Sequence, residues 1–253
     1  MGDSTLARQP KTKRGQRALE KRKPQVVEEV KNAFLVKGTK TSQVVNDVLR
    51  DFAMMKKPDC ALLRHKNEIK PFEDTQSIEF LSNKNNAGLF VVGTHSKKRF
   101  LLFENKNFFF FFFLIIIERT KFKKKKRPHN LVFGRTYDFH ILDLFEVGIT
   151  SFTSIQDLGR IKDTPPPGNK PCFLFIGEEW ETKEETKKFS NLLLDFFRGH
   201  AVDNVNLAGL EHVIACFANG NTVLFRVYKI LRKRSGTKVN QIISSLFQII
   251  LKN

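Results

Sequence analysis

Lys125-Lys-Arg-Pro-His-Asn-Leu-Val-Phe-Gly-Arg135 joins a basic turn to a short apolar run, and its reading decides the fold. Pro128 reverses the chain, and Leu131 to Phe133, closed by Gly134, reads as a strand. Beyond it Ile141, Leu144, Phe145, Ile149 and Phe152 recur at helical spacing, which predicts a helix over Ile141 to Ile155. Upstream, the same Lys-Lys-Arg stands at Lys97 to Arg99, and an unbroken phenylalanine block, Phe108 to Phe113, lies between the two copies. A strand and a helix entered through a basic loop make a folded surface that meets phosphate.

Working outward, Gly88-Leu-Phe-Val-Val-Gly93 reads as a buried strand, and Asp74 is placed to cap a short helix over Thr75 to Leu81. Helical spacing also marks Val26 to Leu35 and Val44 to Met54, separated by a Gly-Thr-Lys-Thr-Ser break. Thr164-Pro-Pro-Pro-Gly-Asn169 breaks all periodicity and reads as a linker to a second half. There Cys172 to Ile176 is a strand, and Phe189, Leu192, Leu193 and Phe196 line one face of a helix that Gly199 is placed to end. His212 to Ala218 and Thr222 to Ile230 flank Asn219-Gly220-Asn221, a hairpin signal. The fold class is α/β in the α+β sense: two halves, each mixing strands with helices, with mixed sheets.

The chain has 253 residues, 44 Lys and Arg against 26 Asp and Glu, and a formal charge of +18. An excess of that size, gathered in patches, points to a polyanionic partner, most often nucleic acid. Residues 1–24 are basic and nearly free of apolar side chains, so they read as a disordered arm that serves nuclear import and tracks phosphate. Residues 25–70 read as a helical extension, 71–234 as the main domain and 235–253 as an atypical tail. Cys60, Cys172 and Cys216 are too widely spaced for a disulfide framework or a zinc site. No secretory signal is expected from Met1-Gly-Asp-Ser-Thr-Leu6, and ten apolar residues from Phe108 to Ile117 are about half of a membrane span.

The chemistry expected is binding. Lys37-Gly-Thr-Lys40 lacks the spacing of a phosphate-binding P-loop, and the six histidines lack His-Glu-x-x-His spacing. No catalytic residue, metal ligand or cofactor is assigned. Glu178, Glu179, Glu181, Glu184 and Glu185, around Trp180, read as a solvated helix start. The candidate RNA-binding residues are Lys11, Lys13, Arg14 and Arg17 in the arm, Lys97, Lys98, Lys126, Arg127 and Arg135 around the basic loops, and Arg198, Arg226 and Lys229 in the second half. Guanidinium forks match phosphate geometry, and rows of lysine add screened, sequence-independent attraction. The competing class is an RNA-acting enzyme, a nuclease or modifying enzyme. It needs clustered carboxylates or a Gly-rich loop after a strand, and neither is apparent.

Six blocks in order carry a resemblance: Lys56-Lys-Pro-Asp59, Pro71-Phe-Glu-Asp74, Lys126-Arg-Pro-His-Asn-Leu-Val-Phe-Gly-Arg135-Thr-Tyr137, Leu192-Leu-Leu-Asp-Phe-Phe-Arg-Gly199, Leu207-Ala-Gly-Leu-Glu211 and Leu224-Phe-Arg-Val-Tyr-Lys229. The chain resembles the Brix-domain family of large-subunit ribosome assembly factors. That resemblance implies two related α/β halves packed as one domain. It also implies a non-catalytic factor in the nucleus and nucleolus that binds rRNA, including 5S rRNA, and supports rRNA maturation. Its implied partners are an Rrs-type ribosome biogenesis regulatory protein, the large-subunit ribosomal proteins that accompany 5S rRNA, and the pre-60S particle to which this 5S ribonucleoprotein is recruited.

Two segments depart from that pattern. Removing Phe100 to Arg127 joins Ser96-Lys-Lys-Arg99 to Pro128-His-Asn-Leu-Val132 and restores an unbroken family block. The insert, rich in Phe, Ile, Lys and Asn, therefore reads as translated non-coding sequence without function. After Lys238 the family pattern stops, and Ile242, Ile243, Leu246, Ile249 and Ile250 have the spacing of a short amphipathic helix. On that reading the tail lacks the family motif, which leaves open whether the second half is closed.

Overall fold

A computed structural model describes residues 10–20, 30–95, 129–158, 171–199, 204, 210–233 and 240–252. It divides into two compact units, Met1–Val30 and Lys31–Asn253. In the first, Lys13–Glu20 forms an eight-residue helix, α1, where the sequence reading expects a disordered arm. Thr12 starts it: its Oγ1 accepts the Gly15 amide at 3.2 Å.

Among the described residues of the second unit, nine strands form one sheet. In chain order they are β1 (Ala33–Gly38), β2 (Cys60–Asn67), β3 (Leu89–His95), β4 (His129–Tyr137), β5 (His140–Thr153), β6 (Cys172–Ile176), β7 (His212–Asn219), β8 (Thr222–Lys233) and β9 (Asn240–Lys252). The spatial order is β2-β1-β3-β4-β5-β9-β8-β7-β6. The halves repeat one pattern. A strand, β1 or β6, lies parallel to the next, β3 or β7, which opens an antiparallel meander, β3-β4-β5 or β7-β8-β9. The meanders end side by side in the antiparallel pair β5–β9, so two related halves share one continuous sheet. β2 is an additional edge strand, parallel to β1.

The helices among the described residues of this unit are α2 (Gln43–Lys56), α3 (Gln76–Asn85), α4 (Ile155–Leu158), α5 (Glu179–Thr182) and α6 (Glu184–Phe197). α2 presents Val45, Val48, Leu49 and Phe52 to the sheet, and Ser42 caps it, its Oγ accepting the Val45 amide at 3.3 Å. With α6 it covers one face. There the Phe52 ring lies 5.9–6.4 Å from Phe133, Phe196, Phe197 and Phe225, so one aromatic contact set ties both halves together. α3 covers the other face of the first half, where Ile78 meets Phe34, Phe90, Val92 and Val132. Asp74 accepts the Gln76 amide at 3.0 Å, and Asn86 ends α3 at a φ of 49°.

Three expectations of helix give way to strand. Residues 25–70 are not a helical extension: β1 and β2 belong to the sheet, and β1 is buried on both faces, which erases the alternation that marks a strand. Over Ile141 to Ile155 the chain is mainly the strand β5, with only the single turn α4 after it. Phe145, Val147 and Ile149 pack toward α6, whereas Ile141 and Leu144 pack toward α3. Register shifts near Arg135 and after Ile149 offset those two stripes, and their sum imitates helical spacing. The tail is likewise a strand, β9, and the second half is closed. Its register shift falls between Ser245 and Phe247, which again breaks simple alternation. The hairpin is as expected, a two-residue turn with Gly220 at a φ of 60°. α6 stops at Phe197 because Arg198 already takes extended angles, before Gly199 is reached. The linker at 164–169 lies outside the described residues.

Candidate nucleic-acid interface

The direction of the strands gathers charge. β1, β2 and β3 are parallel, so their C-terminal ends lie together, and antiparallel β4 begins beside the end of β3. That end carries Lys37 on β1, Lys40 in the following turn, Arg64, His65 and Lys66 on β2, His95 on β3 and His129 on β4. Lys37 and Lys66 are register partners. Like charges opposite each other weaken a sheet unless an anion lies between them. Among the described residues none of Lys37, Lys40, Arg64 and Lys66 is ion-paired to a carboxylate. Asp47 on α2 is occupied by Gln43 and by Arg50 at 2.9 Å.

His95 and His129 are register partners at this end. Their Nδ1 atoms are 3.2 Å apart, and the Ser42 hydroxyl is 2.8 Å from His129 Nδ1. The pKa of His129 is pushed below the ordinary imidazole range, first by burial and then by the neighbouring His95.

The described residues expected from sequence lie on separate elements. Lys97, Lys98, Lys126 and Arg127 lie outside the described residues, next in the chain to His95 and His129. Lys11, Lys13, Arg14 and Arg17 are exposed on and before α1, in the separate first unit. Arg198 is exposed just beyond α6. Arg226 is half-buried in the middle of β8, where its guanidinium meets the Tyr228 hydroxyl at 3.3 Å, and Lys229 lies farther along the same strand.

Arg135 is engaged by carboxylates within the fold. Its Nε donates to both Asp143 carboxylate oxygens at 3.0 Å, its Nη2 also reaches Asp143, and its Nη1 donates to Asp195 at 2.8 Å. The hydrogen bonds to Asp143, joined by the bond to Asp195, raise its pKa still further. The fork expected to grip phosphate is spent on two carboxylates, clamping β4 and β5 to α6. Lys31 adds a looser contact to Asp195 at 3.7 Å.

Sequence reasoning missed Lys37, Lys40, Arg64 and Lys66 because they are scattered singly over two segments. The available signal was Arg64-His-Lys66, a charged triplet after an apolar run. Among the described residues no three His, Cys, Asp or Glu side chains form a metal-holding group. No helix among them is long and apolar enough to cross a membrane.

Comparison with known proteins adds the family. Residues 38–244 match the Brix domain. The ribosome production factor 2 homolog of Mus musculus is 42% identical over 92% of this chain and 66% of its own length. The homolog of that name from Oryza sativa is 40% identical over 93% of this chain and 68% of its own. The chain thus spans about two thirds of the length of such relatives. A solved structure titled probable ribosomal biogenesis protein, from Aeropyrum pernix K1, aligns over 88% of this chain and 96% of its own at 7% identity, with a TM-score of 0.47. This chain belongs to the Brix-domain family.

Proposed function

We propose that this chain is a non-catalytic assembly factor of the large ribosomal subunit, which binds rRNA and helps recruit the 5S ribonucleoprotein to the nucleolar pre-60S particle. The observation that carries the RNA-binding part is the set of basic side chains, Lys37, Lys40, Arg64 and Lys66, that have no carboxylate partner among the described residues where the parallel strands end. Family membership and relatives named for ribosome production support the setting. The arm with Lys11, Lys13, Arg14 and Arg17 adds phosphate contacts and an import signal. The Rrs-type partner docks on the second half: Leu174 and Ile176 on β6 are 47% and 45% exposed, on a sheet face that no described helix covers.

The test is a titration of purified chain against 5S RNA at several salt concentrations. Each phosphate neutralised by a lysine or arginine contributes about one unit to the salt slope. Replacing Lys37, Lys40, Arg64 and Lys66 together by Gln weakens binding and flattens that slope. Affinity indifferent to salt, or unchanged by the fourfold replacement, overturns the reading. In cells, a fluorescent fusion without residues 1–24 loses its nucleolar signal if the arm carries import.

A further inference from the structure

Resting on the RNA-binding reading above, we propose that His95 and His129 form a proton-accepting phosphate contact, so that RNA binding at this end of the sheet takes up a proton. The geometry is specific. A neutral imidazole offers one N–H and one acceptor nitrogen, so two Nδ1 atoms 3.2 Å apart share a single proton between them. His129 Nδ1 also lies 2.8 Å from Ser42 Oγ, which is engaged by the Val45 amide, so its hydrogen bonding is already full. If both rings became charged, the two Nδ1 atoms would both be donors and their contact would turn repulsive. A single added proton instead goes to the Nε2 of the ring that donates through Nδ1, which leaves the Nδ1 contact in place, and an anion receives the new Nε2–H.

Among the described residues the surroundings supply no such anion. The turn after β1 contributes Lys40, whose carbonyl accepts the His95 amide at 2.7 Å, and Lys37 lies just before it. β2 contributes Lys66. The acid on the first turns of α2, Asp47, is held by Gln43 and Arg50. On β5, Gly148 pairs with Asn130, and the nearest acid, Glu146, pairs with Val132, farther along β4. Among the described residues His95 is the one titratable group that moves the His129 pKa by its charge. In the free chain, burial and the neighbouring ring hold His129 below the ordinary imidazole range. A phosphate placed over the pair, between lysines that attract the backbone, favours its protonated form, because an opposite charge within reach stabilises an imidazolium. Binding linked to proton uptake strengthens as pH falls.

The experiment measures 5S RNA affinity of the full chain by fluorescence anisotropy at fixed ionic strength from pH 8.5 to pH 6. The wild type is compared with His95→Gln/His129→Gln and with His140→Gln, which alters an exposed ring at the far end of β4 and β5. Wild type and the exposed-ring variant gain about tenfold in affinity across this range, as linkage of one proton allows. The His95/His129 variant binds no more tightly than wild type at pH 8.5 and gains nothing as the pH falls. In parallel, imidazole NMR titration shows the His129 pKa rising when RNA is added. A pH response identical in all three proteins, or a His129 pKa unmoved by RNA, overturns this inference while salt-sensitive binding leaves the RNA-binding reading standing. RNA binding absent at every salt concentration and pH overturns both.

Discussion

Gly134 shows how one residue of the opening segment is fixed by packing. A Cβ built there falls 2.2 Å from Phe90 Cζ, and Phe90 is fully buried between β1 and α3. The ring has nowhere to go. Gly134→Ala therefore destabilises the chain by about 1–3 kcal/mol through overpacking, measured by denaturant unfolding. Arg135, its neighbour, is equally structural. Arg135→Ala strands Asp143 and Asp195 against each other and costs about 1–3 kcal/mol, while RNA affinity stays within about twofold of wild type. A large drop in affinity in a folded Arg135→Ala protein would return this residue to the binding surface.

At the scale of elements, the neck of the insert is informative. β3 and β4 pair in unbroken antiparallel register from Leu89–Arg135 to His95–His129. Deleting residues 100–127 leaves Ser96, Lys97, Lys98, Arg99 and Pro128 to connect them, about five residues and within the ordinary range for a hairpin loop. The deleted chain is expected to fold with the same register, to be more soluble because an uncharged β-prone run is gone, and to bind RNA as well as the full chain. Circular dichroism, sedimentation and RNA titration check this. Lower solubility together with weaker binding would make the insert a working part of the protein.

Across the whole molecule, the strand that matters most is the last. β9 pairs with β5 on one side and β8 on the other, so it joins the two halves of the sheet. Removing residues 240–253 opens two long edges at once, and exposed edges pair with other chains. The truncated protein is expected to lose cooperative thermal unfolding and to elute as aggregates in size-exclusion chromatography. A monomeric product with an unchanged melting temperature would show that the aromatic set around Phe52 and the packing of α6 suffice to hold the halves together.

Sequence alone determined what is local in this protein: the apolar stripe of α2, the Asp74 start of α3, the strand at Leu131 to Phe133, the hairpin at Gly220, the amphipathic face of α6, the basic excess, and the ordered blocks that place the chain in its family. These follow from turn chemistry, periodicity and composition, which need no distant partner. Tertiary structure decided the rest. Whether Ile141 to Thr153 and Asn240 to Lys252 become helix or strand depends on bulges and on neighbouring strands far away in sequence. Arg135 became a clamp because Asp195, sixty residues later, lies within reach. Lys37 and Lys66 became neighbours because β1 and β2 run parallel, and only the pairing of strands brings such separated charges to one end of a sheet.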